Sequence, residues 1–347
     1  MTATEDRPPT EMTEVVEAGS LDVARLFTRV ENVLLGGPRK YTPGQVASLG
    51  GAVREETQGL WRALGFPIVG EEDEVYADSD LEALALVGEL QSCGFDDPDL
   101  VAAMTRLFGQ TFSRLASWQG QLLLEMLSER PDLTASEDSI VDVFEHVVPA
   151  MERLQSYAWR RQLVAYFARV AERAGEQTLA QQRAGELAIG FVDMSGFTSL
   201  TRRASEIELR ELLDAFESFA TTIVGTHGGR IVKTIGDEVL FQADDAAAAA
   251  QIALEMIEAA EADARLPDLR AGLALGPVVS RLGDVYGSTV NIASRLTSLS
   301  RPGWVLIDRT MYDALADDPR FRIKARKPES VRGYHHLRPW RLRRADA

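Results

Sequence analysis

Two aspartates stand where a carboxylate can do more than solvate a surface. Asp193, in Phe191-Val-Asp-Met-Ser-Gly-Phe-Thr198, falls where an alternating apolar run ends. Gly196 there permits close approach of the backbone to a ligand, and the helix start that follows suits a phosphate. Asp237, in Lys233-Thr-Ile-Gly-Asp237, occupies the turn after the next strand, so a sheet that pairs these strands brings the two carboxylates together. Two hard oxygen ligands facing water suit magnesium, which also gathers phosphates. Read singly, each has a plainer role, Asp193 as a helix cap and Asp237 as a turn former. Further on, Asp284-Val-Tyr-Gly-Ser-Thr-Val-Asn-Ile-Ala-Ser-Arg295 sets Asn291 and Arg295 four apart. That spacing puts both on one helix face, which alone would be read as solvated.

The elements that must carry these residues follow from periodicity. Leu187, Ile189 and Phe191 alternate along a strand that ends at the turn Ser195-Gly196. Leu209, Leu212, Leu213, Phe216 and Phe219 then line one face of a helix. Gly228-Gly229 opens a strand from Arg230 to Ile235, and Gly236-Asp237 turns the chain back into Val239 to Phe241. A helix through Met256 and Ile257 and a strand near Gly272 to Leu275 complete the set. The order strand, helix, two strands, helix, strand predicts an α+β domain of ferredoxin-like arrangement, with extra strands around Trp304 to Ile307 and Leu337 to Leu342.

Taken together, the segments from Leu187 to Leu342 resemble class III nucleotidyl cyclases. Three motifs stand in that family's order and spacing: Phe-x-Asp-x-x-Gly-Phe-Thr at 191–198, Lys-Thr-Ile-Gly-Asp at 233–237 and Asp-x-x-Gly-x-x-x-Asn-x-x-x-Arg at 284–295. The resemblance implies an adenylyl cyclase that converts ATP to 3′,5′-cyclic AMP and pyrophosphate. Asp193 and Asp237 would hold two Mg2+ (or Mn2+), one activating the ribose 3′-hydroxyl and the other gathering the triphosphate. Arg295 would stabilise charge developing on the phosphoryl group and leaving pyrophosphate, and Asn291 would orient the ribose. Phe197 and Thr198 would border the substrate. Base choice has a hydrogen-bonding argument: Lys233 can only donate and ionised Asp284 can only accept, which complements N1 and the 6-amino group of adenine and not guanine. The resemblance also implies a homodimer, in which one subunit supplies the aspartates and the other the Asn/Arg helix. Arg332, in Ser330-Val-Arg-Gly-Tyr334, resembles loosely the basic residue that relatives place on the triphosphate.

The first half reads as helices with breaks at Gly36-Gly37-Pro38, Gly70 to Asp73, Ser92 to Asp96 and Arg130-Pro131. Tyr41-Thr-Pro43 with Gln45-Val-Ala47 and Leu60-Trp-Arg62 resembles the helix-turn-helix of MerR-like regulators. Glu55 and Glu56 offset Arg54 and Arg62, however, so a packed helical pair is the better reading. From Met151 to Ala174 a helical period suggests a long connecting helix, with Gly175 ending it or acting as a hinge, and a plain spacer is the alternative. The expected organisation is a disordered tail over 1–16, a helical regulatory domain over 17–150, a connecting helix and linker over 151–184 and the catalytic domain over 185–347. The helical half resembles the regulatory domains of soluble actinobacterial-type cyclases, some of which respond to pH or bind lipid. His146 is a candidate for a proton response, although a lone helical histidine more often packs or is solvated.

Composition sets limits on these readings. With 45% hydrophobic and 26% charged residues, the chain is that of an ordinary globular protein. A net charge of −16 argues against a nucleic-acid partner, but a nucleotide needs only local cations and metal. The acidic, proline-bearing start is no signal peptide, and Ala246 to Ala260 is broken by Gln251, Glu255 and Glu258, so a cytoplasmic protein with no transmembrane segment is expected. Cys93 has no disulfide partner, and four histidines form no zinc motif. Gly236-Asp237-Glu238 shares part of the diguanylate cyclase signature, but Ile235 and Val239 replace its first glycine and its phenylalanine. A guanylyl cyclase, and a degenerate domain acting as a DNA-binding or protein-interaction regulator, are the remaining alternatives.

Overall fold

The computed structural model describes residues 22–51, 54–174, 186–331 and 334–345, which fall into two compact units divided between Arg169 and Val170. The expected terminal tail, the segment around Gly175 and Arg332 lie outside the described residues.

The first unit is helical: α1 (Val23–Leu35), α2 (Pro43–Leu49), α3 (Arg54–Leu64), α4 (Asp78–Ser92), α5 (Pro98–Glu129) and α6 (Glu137–Ala174). The expected breaks mark its joints. Gly36 closes α1 in the left-handed region at φ 71°, and Asp97 accepts from the Asp99 and Leu100 amides to start α5. The segment resembling a helix-turn-helix is the packed pair α2 and α3, with Val46 and Trp61 buried beside Tyr76 and Leu84. A second small core joins Leu26 and Val30 to Leu127, Ile140 and Val141. The helix expected from Met151 begins at Glu137 and runs through Pro149 without a break. No described helix is long and apolar enough to cross a membrane.

The second unit carries the predicted order. Its leading elements are β1 (Glu186–Met194), the short α7 (Phe197–Leu200), α8 (Glu206–Thr226), β2 (Arg230–Ile235), β3 (Glu238–Ala243), α9 (Ala246–Ala262) and β4 (Leu269–Pro277). They are followed by the hairpin β5 (Val279–Arg281) and β6 (Asp284–Tyr286), then α10 (Ser288–Leu299), β7 (Val305–Ile307) and α11 (Arg309–Leu315). Last come β8 (Phe321–Ala325), β9 (Glu329–Val331), β10 (Tyr334–Leu337) and β11 (Trp340–Arg344). The main sheet runs β2-β3-β1-β4-β7-β11-β8, its first four strands being the ferredoxin-like core. The strand expected over Leu337 to Leu342 divides at Arg338-Pro339, where Leu337 ends the β9–β10 pair and Trp340 opens β11. β8 was not expected. Phe321, Ile323 and Ala325 alternate with Arg322 and Lys324 over only five residues, the pattern of a short half-buried strand.

Each face of the sheet has its own core. Ala188, Val192 and Met194 of β1 point into a cluster with Phe216, Ile252 and Met256 from α8 and α9. Leu187, Ile189 and Phe191 point the other way, toward Ala293 of α10. Gly272 makes that second packing possible: a Cβ there would stand 2.2 Å from the Thr297 nitrogen, so α10 lies directly on β4. Any side chain at 272 would lift the helix that carries Asn291 and Arg295.

Asp308 ties β4 to α11, accepting from the Met311 amide at 2.9 Å and the Leu275 amide at 3.4 Å. Burial pushes its carboxyl up to about 6, despite those amides. The folded state therefore favours the protonated form, and this contribution is complete below the unfolded value of about 4 and is lost as pH rises through 6. Asp308→Asn keeps the accepting oxygen and removes the buried charge. We expect the variant to melt on the order of 3–6 °C above wild type at pH 8. The gain should shrink as pH falls through 6 and vanish below about pH 4, as thermal scans across that range would report.

Candidate active site

Asp193 is the next-to-last residue of β1 and is 9% exposed, on the sheet face that α10 covers. Gly236, at φ 62°, supplies the first central position of the two-residue turn between β2 and β3, and Asp237 is the second. Register brings Asp193 opposite Glu238, and Met194 N donates to Asp237 O at 3.1 Å. The two predicted carboxylates are thus neighbours. Burial raises the Asp193 carboxyl above its usual range and Asp237 adds to the rise, while hydrogen bonds from Arg270 oppose it. Glu238 is pushed up to about 7, first by burial and then by the charges of Asp193 and Asp237.

Arg270 was not expected at this site. It lies opposite Asp193 on β4, and its Nε donates to Asp193 Oδ2 at 2.7 Å while Nη2 reaches the same oxygen. Nothing local in Leu269-Arg-Ala271 marks it, because only the long-range β1–β4 register puts it beside Asp193. Glu238 stood out only in the partial diguanylate cyclase signature Gly236-Asp237-Glu238, just before the strand expected from Val239, and nothing local set it beside Asp193.

At a second location, Lys233 Nζ on β2 donates to Asp284 Oδ2 on β6 at 2.5 Å. Arg230 braces the same hairpin, donating to Gln242 Oε1 at 3.0 Å and to Gly283 O at 3.5 Å. Burial would raise the Asp284 carboxyl, but Lys233 and the Val285 amide bring it below the ordinary range. The predicted base-reading pair is therefore assembled within one chain, donor beside acceptor. Four residues after Gly287, which precedes α10, Asn291 is exposed, and Arg295 is half-buried one turn later. Neither side chain has a partner among the described residues. Phe197 is partly buried against the main core, and Thr198 is exposed beside it on α7.

One chain does not bring all of these together. Thr289 Oγ1 donates to Pro277 O at 2.8 Å and Thr297 Oγ1 to Phe191 O at 3.4 Å, so α10 starts at the Pro277 end of β4 and runs toward Phe191. Pro277 pairs with Glu186, at the far end of β1 from Asp193. With about 3.3 Å per strand residue and 1.5 Å per helix residue, Asn291 stands roughly 15 Å along the sheet from Asp193. A single nucleotide phosphate cannot touch both.

The carboxylate end has the donor chemistry of a divalent-cation site. Asp193 and Asp237 offer hard oxygens that repel each other, and Ser195 Oγ, two residues on, is buried without a hydrogen-bond partner among the described residues. No group of three or more histidine, cysteine, aspartate or glutamate side chains set to hold a metal occurs among the described residues. Two protein carboxylates suit an ion that completes its shell with water and phosphate oxygens, as magnesium does.

This sheet order, with a carboxylate pair at the β2–β3 turn, a Lys/Asp pair joining β2 to β6 and an Asn/Arg helix lying across the sheet, defines a class III nucleotidyl cyclase domain. Residues 179–344 match the adenylate and guanylate cyclase catalytic domain, and the chain belongs to that family. It is 37% identical to an adenylate cyclase of Streptomyces coelicolor, over 92% of this chain and 90% of that one. It is 40% identical to an adenylate cyclase of Streptomyces griseus, over 82% and 70%. A pH-sensitive adenylate cyclase of Mycobacterium tuberculosis is 30% identical over 84% and 75%. The family uses divalent metal ions, and its members are typically dimeric.

Proposed function

We propose that this protein is an adenylyl cyclase acting as a homodimer, forming 3′,5′-cyclic AMP and pyrophosphate from ATP. The observation that carries the base choice is the Lys233–Asp284 pair, one cationic donor beside one anionic acceptor at 2.5 Å. Adenine presents an acceptor at N1 and a donor at its amino group, so it matches this pair, and guanine presents the reverse. Lys233 keeps two further donor protons and Asp284 keeps lone pairs when they bind each other, so the pair is ready to receive a base.

Asp193 and Asp237 are the residues that would hold two magnesium or manganese ions, and a bound ion would lower the pKa of the attacking 3′-hydroxyl and neutralise phosphate charge. Arg295 places its guanidinium where charge grows on the transferred phosphoryl group and on pyrophosphate, and Asn291 directs the ribose for in-line attack. Phe197 and Thr198 border the phosphate end. Arg332 is assigned to the triphosphate on its motif position alone. Because the aspartates and Asn291 are roughly 15 Å apart along one sheet, two copies arranged head to tail complete two equivalent sites. Exposed apolar side chains on α5 and α6, among them Phe112, Trp118, Tyr157, Trp159 and Phe167, offer further surface for a second copy. The helical unit is assigned a regulatory role.

The test is turnover of ATP and of GTP with magnesium or manganese, read as cyclic nucleotide by chromatography. We expect cyclic AMP from ATP, with kcat/KM for GTP lower by at least about a hundredfold, and loss of product with Asp193→Ala. Equal use of both nucleotides would overturn the base assignment. No product at all would favour the degenerate-domain alternative.

A further inference from the structure

Three side chains lie in one lateral row across the sheet: Glu238 on β3, Asp193 on β1 and Arg270 on β4, each directly opposite the next. Strand spacing of about 4.8 Å puts the two carboxylates in direct repulsion, and Asp237 in the adjoining turn adds a third. Among the described residues Arg270 is the one cation with hydrogen bonds into this group, and both of its donors go to Asp193 Oδ2. Its own side chain is 33% exposed, against 12% for Asp193. A cation that only cross-linked two strands would gain as much from a surface carboxylate. Here it is set against the most buried member of an acidic group whose charges repel one another.

We propose that Arg270 is a positioning residue and the built-in counter-charge of the metal site. It holds Asp193 by Oδ2, leaves Oδ1 to the ligand side, and offsets the carboxylate repulsion whenever no divalent ion is bound. This rests on the assignment of Asp193 and Asp237 as metal ligands. Its physical content is a trade: Arg270 steadies the metal-free fold and, as a resident positive charge, weakens the attraction for the incoming dication. The metal therefore adds less to stability than it would at the same carboxylates without the arginine.

The experiment compares the full-length protein with Arg270→Gln, in chelator and in millimolar magnesium or manganese, by thermal unfolding and by manganese titration followed with electron paramagnetic resonance. In chelator the variant should melt lower by on the order of 5 °C. Divalent metal should recover most of that loss, so its stabilising shift is larger in the variant than in wild type. Sodium chloride at matched ionic strength should not reproduce the recovery. Manganese should bind the variant about three- to tenfold more tightly in the absence of nucleotide. Adding Asp193→Asn to Arg270→Gln should restore the melting temperature in chelator and remove the enhanced metal response. If Arg270→Gln does not fold in chelator, its recovery by metal and by Asp193→Asn is the same result in stronger form. Equal metal shifts and equal manganese affinity in wild type and variant would overturn the proposal and leave Arg270 a plain cross-strand tie. Absence of any metal effect in wild type and variant alike would overturn the metal assignment itself, and is distinguishable from the first failure.

Discussion

Asp193→Ala and Asn291→Ala should each be nearly inactive alone, and a mixture of the two proteins should make cyclic AMP. Asp193→Ala removes the most buried carboxylate of the carboxylate pair, and Asn291→Ala leaves the ribose unoriented. Each should lower kcat by at least about a hundredfold. If each site takes its aspartates from one copy and its α10 helix from the other, a mixed dimer holds one intact site and one that lacks both residues. Random exchange makes half of the dimers mixed, so recovery should approach about a quarter of wild-type activity. The geometry leaves little room for a different outcome. Thr297 is anchored to Phe191 and Thr289 to Pro277, and Gly272 admits the helix onto β4, so α10 cannot slide roughly 15 Å along the sheet to bring Asn291 to Asp193 within one chain. Exchange is verified with differently tagged copies. Demonstrated exchange without recovered activity would exclude the shared site.

The parts of this arrangement that the sequence made legible are those written locally. Gly236-Asp237 is a turn signal between two apolar runs, and the turn forms there with Gly236 at positive φ. The alternation from Leu187 to Phe191 forecast β1, and the spacing of Asn291 and Arg295 forecast a shared helix face, which α10 provides. What was hidden depends on register. Arg270 and Glu238 become part of the site only through the pairing of β1 with β4 and with β3, and no local periodicity encodes which strand lies beside which. Pro149 had a similar effect on the helical half. A proline removes a hydrogen bond and normally ends a helix, yet here it stands inside α6 with 25 residues of helix beyond it, to Ala174. β8 is a five-residue alternation at the edge of the sheet, and its outward arginine and lysine are the composition of an edge strand that resists pairing with another chain.

Exchanging the donor and acceptor roles at positions 233 and 284 should convert the base preference rather than abolish turnover. Lys233→Glu gives an acceptor for the N1 proton of guanine, and Asp284→Ser gives a hydroxyl that can donate to O6. In wild type, a guanine would set its O6 against the Asp284 carboxylate and its N1–H against the Lys233 ammonium, which leaves polar groups facing like partners once the base covers them. Such mismatches cost far more than the loss of an apolar contact, on the order of a hundredfold or more per site. The double variant should therefore lose about two to three orders of magnitude in kcat/KM for ATP and gain measurable cyclic GMP synthesis, with the effect concentrated in KM. The single variants should be worse with both nucleotides. Lys233→Glu alone sets two carboxylates against each other across the 2.5 Å contact, and Asp284→Ser alone removes the partner that holds the lysine. With both substitutions in place, the like-charge clash is gone, and before a base binds the hydroxyl at 284 is free to donate toward the carboxylate at 233, a proton that passes to O6 when guanine enters. The double variant thus avoids the repulsion that the single Lys233→Glu change introduces. Steady-state kinetics with both nucleotides decide the matter. A double variant that still prefers ATP by the wild-type margin would place base recognition elsewhere and leave Lys233 and Asp284 as a strut between β2 and the β5–β6 hairpin.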